Sequence, residues 1–334
     1  MYLELIPESG KFYKVNLHCH TDLSDGKMTP EEIKKRYQAL GYSAVCFTDH
    51  ELLVPHNELS DESFVALNGY EVCIKQRPDV SSGYFAPLYH FNLISKSRDH
   101  CVMPKFFKDH PSCFGNSAQL RKTATNYVEI IEKTEYDVNW INGYLQDVAE
   151  AGFLVNYNHP QWSLQTKDDY IGLKNVHSVE VINGSCIYLN DNTSVHYEQM
   201  LRAGMRVCPT AGDDTHTADK IGNAWTMIKA DELSYAALIR AYESGYCYAS
   251  EGPEIHSLIL KDGKIRVKVS PASAISLHGE GRYGQMKRSA TEVLYTEAEF
   301  DYLPEKLGSY FRIEVRDRFG YKAYSNAYFT RDIG

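Results

Sequence analysis

The chain has 334 residues, of which 43% are hydrophobic and 24% are charged, and its formal net charge is −9. This composition is typical of a folded globular protein. The length fits two domains, or one barrel of roughly 250 residues with an appendage. The acidic balance, with no basic tract, argues against binding of a nucleic acid beyond a strand end. It is compatible with a small anionic substrate, because bound cations can reverse the local charge.

The N-terminal sequence and the cysteines bear on the cellular compartment. The segment MYLELIPESGKFYKV lacks a basic stretch followed by an apolar one, and no apolar run is long enough to cross a membrane. We therefore expect a cytoplasmic protein with no membrane partner. The eight cysteines form no CxxC pair, and several lie within apolar runs. We expect them to be reduced and buried, and not to bind zinc.

Amphipathic segments that end at a glycine and continue directly into an apolar run recur along the first 250 residues. In chain order these glycines are Gly41, Gly152, Gly204 and Gly245. A glycine just past a helix end adopts the left-handed conformation that terminates the helix. The first helix is predicted to begin after Thr29, with Pro30 in its first turn. Helices alternating with short apolar strands predict βα units, a parallel sheet and an α/β fold.

The sequence pattern changes near residue 252. The segment EIHSLILKDGKIRVKVSP predicts a hairpin with Asp262 and Gly263 at its turn, and residues 310–330 alternate between apolar and polar side chains. We predict a small all-β, sandwich-like domain over residues 254–334, following a first domain over residues 1–253. Residues 96–126 show no period, and we expect them to form a long loop beside the functional site.

Histidines and acidic residues recur where the predicted strands end. His18 and His20 lie on one face of the first strand, and Val15 and Leu17 lie on the other. The candidate ligands that follow or interrupt short apolar runs are His18, His20, Asp25, His50, Glu71, His90, His159, Asp214 and His216. In a βα barrel the carboxyl ends of the strands meet on one face, so these side chains are expected to converge.

Imidazoles and carboxylates that converge at a barrel mouth favour a metal site. The set of nitrogen and oxygen ligands exceeds what one ion takes, since a catalytic zinc typically has three protein ligands and an open position. The sequence therefore predicts two to three divalent ions. Because no cysteine is among the ligands, zinc, manganese or iron is favoured.

Five motifs resemble, in order, those of the PHP (polymerase and histidinol phosphatase) metal-dependent phosphoesterases. They are HCHTDLSDG, FTDHE, NGYEV, NYNHP and AGDDTH, and the likeness spans about residues 13–250. The resemblance implies a distorted, TIM-like (β/α)7 barrel with a trinuclear centre. The residues that resemble ligands are His18, His20, Glu71 and Asp214 for a first ion, Glu71, His90 and His159 for a second, and Asp25, His50 and His216 for a third. Residues 310–329 also resemble the β-sandwich tail of some stand-alone PHP hydrolases.

The remaining candidate residues surround this ligand set. The candidate catalytic residues are Glu71, His159 and Asp214. Asp49 and Asp213 are expected to lie behind the ligands and to accept a hydrogen bond from a ligand imidazole. The basic residues of the long loop are interpreted as solvated, with a phosphate clamp as the alternative; they are Arg98, Lys105, Lys108, Arg121 and Lys122.

These features favour a hydrolase of phosphoric esters, in which a hydroxide held between two ions attacks phosphorus and a third ion offsets the developing charge. A nucleotide, a cyclic phosphate, a sugar phosphate or an oligonucleotide end would fit as the small anionic substrate. The alternative is an amidohydrolase-like hydrolase of C–N bonds or carboxyl esters, although no lysine is evident at a candidate strand end. A third interpretation, a barrel that has lost catalysis, is disfavoured by the complete ligand set.

Overall fold

The computed structural model describes residues 1–77, 85–107, 114–189 and 194–333. Its strands are β1 (Tyr2–Glu4), β2 (Lys11–Asn16), β3 (Ala44–Phe47), β4 (Val65–Lys75), β5 (Leu88–Ser95), β6 (Met103–Phe107), β7 (Tyr127–Ile131), β8 (Phe153–Tyr157), β9 (Ser178–Asn183), β10 (Cys208–Gly212), β11 (Trp225–Ala230), β12 (Cys247–Ser250), β13 (Ile255–Lys261), β14 (Lys264–Ala272), β15 (Ala274–Gly279), β16 (Gly284–Arg288), β17 (Tyr295–Asp301), β18 (Tyr310–Arg316), β19 (Lys322–Ser325) and β20 (Tyr328–Phe329). Its helices are α1 (Pro30–Ala39), α2 (Ser117–Leu120), α3 (Val138–Glu150), α4 (Lys167–Tyr170), α5 (Val195–Arg202), α6 (Tyr235–Glu243) and α7 (Pro304–Leu307).

Seven strands of the mixed α/β region form an arc in the order β10-β9-β8-β5-β4-β3-β2. Strands β2, β3 and β4 run parallel to one another, and so do β8, β9 and β10. Strand β5 runs antiparallel to both of its neighbours. The expectation of a wholly parallel sheet is therefore wrong at β5. A parallel neighbour needs a long crossover, and the described part of the connection from β4 to β5 contains no such helix.

The two ends of this arc meet at one point. Cys19 and Thr215 form an isolated parallel bridge. The backbone NH of His20 donates to the carbonyl of Thr215 at 3.0 Å, and the NH of Asp214 donates to the carbonyl of His18 at 3.0 Å. Strand β2 itself pairs antiparallel with β11. The mixed α/β fold is confirmed, whereas the described strands form no closed barrel ladder, so the (β/α)7 TIM-like barrel is not confirmed.

The predicted helix ends are confirmed. Thr29 and Glu32 form a capping box in which each side chain accepts from the other's backbone NH, and Pro30 begins α1. The glycines that follow the helices have positive φ angles, at 77° for Gly41, 87° for Gly152, 81° for Gly204 and 74° for Gly245. These helices pack on the arc and carry the chain back, so that the following strands end on the same side of the sheet.

The C-terminal region is rich in β-structure. Strands β13 and β14 form the predicted hairpin, with Asp262 and Gly263 between the paired Lys261 and Lys264. A sheet ordered β1-β13-β14-β17 and the strands β19-β18-β15-β16 enclose one apolar core, in which the predicted stripe of Phe311, Ile313 and Val315 is fully buried. Strand β1 pairs with β13, and β12 pairs with β19, so two ladders cross the predicted boundary near residue 253.

Residues 96–126 contain more structure than the sequence predicted. Strand β6 pairs with β7, and α2 follows residue 116. Strand β6 was not predicted from the sequence, because five residues are too few to show a clear period. Gly115, with φ 56°, packs so tightly against the loop at Ser24 that any Cβ would overlap the Ser24 carbonyl. This contact places the segment beside the loop that carries Asp25, as expected.

Two further expectations concern cysteines and membranes. Cysteines 19, 46, 73, 186, 208 and 247 are buried, as expected, whereas Cys101 is partly exposed. Cys113 and the loop residue Lys108 lie outside the described residues. Within the described ranges, no helix has the length and apolar character needed to cross a membrane.

Candidate metal centre

The site is built where strands of the arc end. His18 and His20 continue the direction of β2 and are held against the end of β10 by the backbone bonds of Asp214 and Thr215. Val15 and Leu17, on the opposite face, are buried in an apolar cluster. The alternation of the strand therefore sends the two imidazoles toward the inside of the arc.

All of the predicted ligands come together in the structure. They form four overlapping groups whose ligand atoms lie within 4.8 Å of one another: His20, Asp25, His50 and His216; His18, His159 and Asp214; His18, His20 and Glu71; and Glu71, His90 and His159. Most of these side chains are buried, whereas Asp25 and His216 are partly exposed. The cluster therefore opens to solvent on the side of Asp25 and His216.

Glu71 lies at the centre of the cluster and is 1% exposed. Its carboxylate approaches one nitrogen of each of five imidazoles within 3.4 Å; they belong to His18, His20, His50, His90 and His159. The first carboxylate oxygen faces His18, His90 and His159, and the second faces His20 and His50. Glu71 thus belongs to two of the four groups, and its carboxylate also lies beside imidazoles of the other two.

Asp214 and Asp25 complete the cluster from opposite sides. Oδ1 of Asp214 lies 3.3 Å from Nε2 of His18 and 3.1 Å from Nε2 of His20. Asp25 lies 3.6 Å from Nε2 of His50 and 3.4 Å from Nε2 of His216. Asp214 has a φ of 50°, an uncommon conformation for a residue other than glycine. Residues with a strained backbone conformation of this kind are concentrated at functional sites.

The donor atoms fit metal ions. Among the described residues, the buried ligand atoms without a hydrogen-bond partner are Nδ1 of His20 and of His50, both ring nitrogens of His90, and Oδ1 of Asp214. Buried polar atoms are normally paired, since an unpaired one costs about 1–3 kcal/mol. Nitrogen and oxygen atoms that face one another in this way, with no cysteine among them, suit zinc, manganese or iron.

The charge balance of the cluster is set by its histidines and carboxylates. Burial by itself lowers the pKa of an imidazole, but the facing carboxylates outweigh it at three positions. Asp214 and Glu71 hold the pKa of His18 well above its usual value, raise that of His20 to about 10, and raise that of His159. Without metal, His20 is therefore protonated at neutral pH, and the same carboxylates favour the protonated form of His18 and His159.

The pKa values of the carboxylates shift in the opposite direction. Burial raises the pKa of Glu71 and Asp214, but the neighbouring histidines hold both well below the usual range. Burial lowers the pKa of His50 and His90, and neighbouring imidazoles lower it further. The site therefore presents ionised carboxylates together with two neutral imidazoles, which is the protonation state that metal binding requires of these residues.

Glu180 is a site residue that the sequence analysis missed. Its buried carboxylate lies 3.1 Å from Nδ1 of His18 and accepts the backbone NH of His159 at 3.1 Å. Gly212 leaves the space for this contact, because a Cβ there would lie 3.0 Å from the carboxylate of Glu180. An acidic residue inside the apolar run SVEVIN was the available signal, since a buried carboxylate needs partners.

The structure corrects the role expected of Asp49 and Asp213. Neither accepts a hydrogen bond from a ligand imidazole within the described residues. Asp49 accepts from the backbone and side chain of Thr21 and from Ser24, so it fixes the loop that leads to Asp25. Asp213 accepts from Tyr37 and from the backbone of residues 222–224. The carboxylates of Asp49 and Asp213 accept hydrogen bonds from neighbouring NH and OH groups instead of from imidazoles.

Amide and hydroxyl side chains also support the ligands. Nδ2 of Asn158 donates to Glu71 at 2.7 Å, and Nδ2 of Asn183 donates to Asp214 at 3.2 Å. Nδ1 of His159 lies 3.1 Å from the hydroxyl of Ser163. These partners leave Nε2 of His159 facing the cluster. Asn183 ends β9, whereas Asn158 and Ser163 follow β8, and the sequence contained no signal that distinguished these residues.

A cavity of about 510 Å³ opens over the cluster. Its walls include Phe114, Trp162, Leu164 and Tyr188, and also Lys75 at the end of β4. The statement that no lysine stands at a candidate strand end is therefore wrong. Lys75 follows Glu71 by four residues in the same strand, and the NGYEV motif ends before reaching it.

The basic loop residues that the structure describes do not line this cavity. Arg98 donates to the carbonyl of Asn57, Lys105 pairs with Glu129 and Asp147, and Arg121 is buried against the carbonyls of Glu51 and Phe107. Lys122 donates to Gln119 on the surface. Their described contacts are structural, so the phosphate-clamp alternative finds no support in them.

The sequence matches two family profiles. The PHP domain matches residues 16–103, and the PHP-associated region matches residues 202–247. The first match contains the ligands from His18 to His90, the second contains Asp214 and His216, and His159 lies between them. The chain therefore carries a PHP domain, which confirms the resemblance that its motifs indicate. Both matches end before the C-terminal β-rich region. No curated protein matches the sequence.

Several solved structures are similar to the chain at low identity. A two-domain protein from Bacteroides vulgatus containing a predicted PHP-like metal-dependent phosphoesterase is 14% identical, with 98% of this chain and 97% of that chain covered and a TM-score of 0.45. PsfC from Pseudomonas syringae is 12% identical, with coverage of 70% and 88% and a TM-score of 0.39. The lesion-specific endonuclease PfuEndoQ from Pyrococcus furiosus is 13% identical, with coverage of 70% and 56% and a TM-score of 0.40.

Proposed function

We propose that the chain is a metal-dependent hydrolase that acts on a small anionic phosphoric ester. The observation that carries the proposal is the position of Glu71, whose carboxylate lies within 3.4 Å of nitrogens from five imidazoles. In addition, Nδ1 of His20 and Nε2 of His90 are buried and make no hydrogen bond within the described residues, so both are available to ions. A carboxylate shared between ions accounts for the position of Glu71.

The proposed centre holds two to three divalent ions of zinc, manganese or iron. The proposed ligands are His18, His20, Glu71 and Asp214 for one ion, Glu71, His90 and His159 for another, and Asp25, His50 and His216 for a third. Bound there, the ions would activate a water and offset the negative charge that develops on the phosphate oxygens. Glu71, His159 and Asp214 are the proposed catalytic residues, because all three line the cavity and Glu71 and His159 each belong to two groups.

The arc of seven strands suits this function as a distorted (β/α) barrel. The bridge between Cys19 and Thr215 brings the end of β2 against the end of β10. His18, His20 and Asp214 consequently share one mouth, although they lie about 200 residues apart in the sequence. The rigid strands hold the ligands, and the loops around them supply the walls of the cavity, as in other barrel enzymes.

The amidohydrolase alternative loses support from the position of Lys75. A lysine that bridges two ions would have to lie among the ligand atoms, but Lys75 lies four residues beyond Glu71, a backbone distance of about 13 Å. The phosphoric ester hydrolase therefore fits the geometry better.

A hydrolysis screen tests the proposal. Protein reconstituted separately with zinc, manganese and iron(II) would be given phosphate monoesters, phosphate diesters, carboxyl esters and amides. We expect phosphate-ester cleavage that is abolished by a chelator and by Asp214→Asn. Asp219→Asn, on an exposed carboxylate, is the matched control and should retain activity. Cleavage of amides or carboxyl esters without cleavage of any phosphate ester would contradict the proposal.

A further inference from the structure

Lys75 faces the same cavity as the candidate metal centre. In the antiparallel pair of β4 and β5, Cys73 lies opposite His90 and Lys75 lies opposite Leu88. Alternate residues of a strand share a face, and so do directly paired residues. Glu71, Lys75, His90 and Leu88 therefore lie on one surface, which runs outward from the cluster. Lys75 and Leu88 form the outer part of this cavity wall.

Lys75 forms no salt bridge within the described residues, and the acidic group that its charge influences is the buried carboxyl of Glu51, which also faces Arg121. The described contact of its ammonium group is with the ring of Phe114, 5.4 Å from the centroid. Lys105 differs, because it pairs with Glu129 and Asp147. Lys75 is also the one lysine or arginine among the described residues that line the cavity. A partly buried ammonium group in a site for anions is placed to bind a negative group of the ligand.

The rest of the rim is aromatic and apolar. The ring of Phe114 lies 4.5 Å from that of His50, and the ring of Trp162 lies 5.0 Å from that of His159. Leu164 and Tyr188 are 48% and 71% exposed, and Leu164 has a φ of 56°, which is uncommon for such a residue. Exposed apolar side chains gathered around one cavity mark a ligand surface. Flat rings favour stacking on another flat ring.

The spacing limits what can lie between the metal centre and Lys75. The backbone positions of Glu71 and Lys75 are about 13 Å apart along β4. The long lysine side chain shortens the distance that a ligand must span, which leaves roughly the width of one aromatic ring between a phosphate over Glu71 and a group held by Lys75. A substrate with a single anionic group would leave either Lys75 or the metal centre without an anionic partner.

We infer that the substrate is a phosphate ester of a flat ring system that carries a second anionic group, and that Lys75 selects for this second group. The inference rests on the proposed function, since it assumes that the phosphate lies over the metal centre. A carboxylate and a second phosphate share the chemistry that Lys75 recognises.

Binding of non-hydrolysable phosphonates tests the inference without the influence of a leaving group. Calorimetry on metal-loaded protein would compare methylphosphonate, phenylphosphonate, 4-carboxyphenylphosphonate and 1,4-phenylenebisphosphonate. We expect phenylphosphonate to bind more tightly than methylphosphonate, and the two ligands with a second anionic group to bind about fivefold more tightly again. The last two ligands distinguish a carboxylate from a second phosphonate as the preferred group.

Variants of Lys75 test whether this residue causes the preference for a second anionic group. Lys75→Met should remove the advantage of the second anionic group and leave binding of phenylphosphonate within twofold of wild type, whereas Lys75→Arg should retain the advantage. Lys268→Met, on an exposed strand of the C-terminal region, is the control and should change nothing. If Lys75→Met retained the preference, or weakened all four ligands equally, the inference would be overturned.

Turnover of phenyl phosphate and 4-carboxyphenyl phosphate separates the two proposals. If both esters are hydrolysed and the second anionic group has no effect on kcat/KM or on phosphonate binding, the role of Lys75 is wrong and the phosphoesterase proposal stands. If neither ester is hydrolysed but Lys75 still controls phosphonate binding, the anion site stands and the proposed reaction is wrong. If the protein neither binds nor hydrolyses any of these compounds, both proposals are overturned.

Discussion

The carboxylate of Glu180 contacts the imidazole of His18 through Nδ1, at 3.1 Å, inside the protein. With Nδ1 occupied, Nε2 of His18 faces Glu71 at 3.2 Å and Asp214 at 3.3 Å. Glu180 also accepts the backbone NH of His159. One carboxylate outside the ligand set therefore orients two residues within it, which is the usual relation between a metal ligand and its supporting hydrogen-bond partner.

The contact between Glu180 and His18 predicts a loss of metal affinity on substitution. Glu180→Gln keeps the shape of the side chain but removes the charge that fixes the tautomer of His18. We expect metal affinity, measured by competition with a chelator, to fall about 10- to 100-fold. Glu299→Gln, on an exposed strand, is the matched control. Unchanged affinity in Glu180→Gln would show that this contact is not needed for metal binding.

Substitution of Glu71 should affect more than one ion. Because Glu71 belongs to two ligand groups and lies beside the other two, Glu71→Gln is expected to lower both metal content and activity severely, while circular dichroism shows a retained fold. His90 belongs to one group, so His90→Gln should lose fewer ions than Glu71→Gln. A Glu71→Gln variant with near-normal metal content and turnover would rule out a shared carboxylate.

Metal binding should release protons. The carboxylates raise the pKa of His20 to about 10, so this imidazole is protonated at neutral pH in the metal-free protein, and they raise the pKa of His18 and His159 as well. A histidine must lose its proton to bind a metal, so affinity should fall as the pH is lowered. Calorimetry in two buffers of different ionisation enthalpy should detect the release of about one proton or more per chain. Release of no protons would contradict this protonation state.

A buried ion pair links the C-terminal region to helix α5. Arg312 is 1% exposed, and its guanidinium donates to Glu198, which also accepts from the hydroxyl of Tyr310 at 2.9 Å. Arg312→Met removes the buried charged partner of Glu198, which keeps only the exposed Arg202 at 3.7 Å, and should destabilise the protein by about 3 kcal/mol. Denaturant unfolding measures this, and adding Glu198→Gln to Arg312→Met should recover part of the loss. If Arg312→Met unfolds like wild type, the pair does not stabilise this interface.

The histidines of the C-terminal region should not take part in the chemistry. His256 and His278 belong to no ligand group among the described residues. The variants His256→Gln and His278→Gln should therefore keep metal content and kcat within a few-fold of wild type, whereas His18→Gln should lose both. If either variant lost as much as His18→Gln, the C-terminal region would have to contribute to the site.

Local signals in the sequence predict local structure in this protein. The capping box at Thr29 and the left-handed glycines are recognisable because each depends on a few neighbouring residues. The antiparallel direction of β5 could not be predicted in this way, since it depends on the connection from β4 and on pairing with β8. The short strand β6 was missed for the same reason, because its pairing with β7 is not visible in its own five residues.

The site shows the same division between local and long-range information. The predicted ligands were identified because they lie in ordered motifs at strand ends. Glu180 and Lys75 were missed because each acts through a neighbour that is distant in the sequence or beyond the motif. Asp49 and Asp213 were assigned an imidazole partner from their place beside His50 and Asp214. In the structure, backbone NH and hydroxyl groups occupy both carboxylates instead.

The metal content of the native, full-length protein tests the central claim most directly. Elemental analysis after reconstitution and removal of weakly bound ions should find two to three transition-metal ions per chain, and Glu71→Gln analysed in parallel should hold fewer. A value of one ion or none in the wild-type protein would contradict a multinuclear centre shared through Glu71.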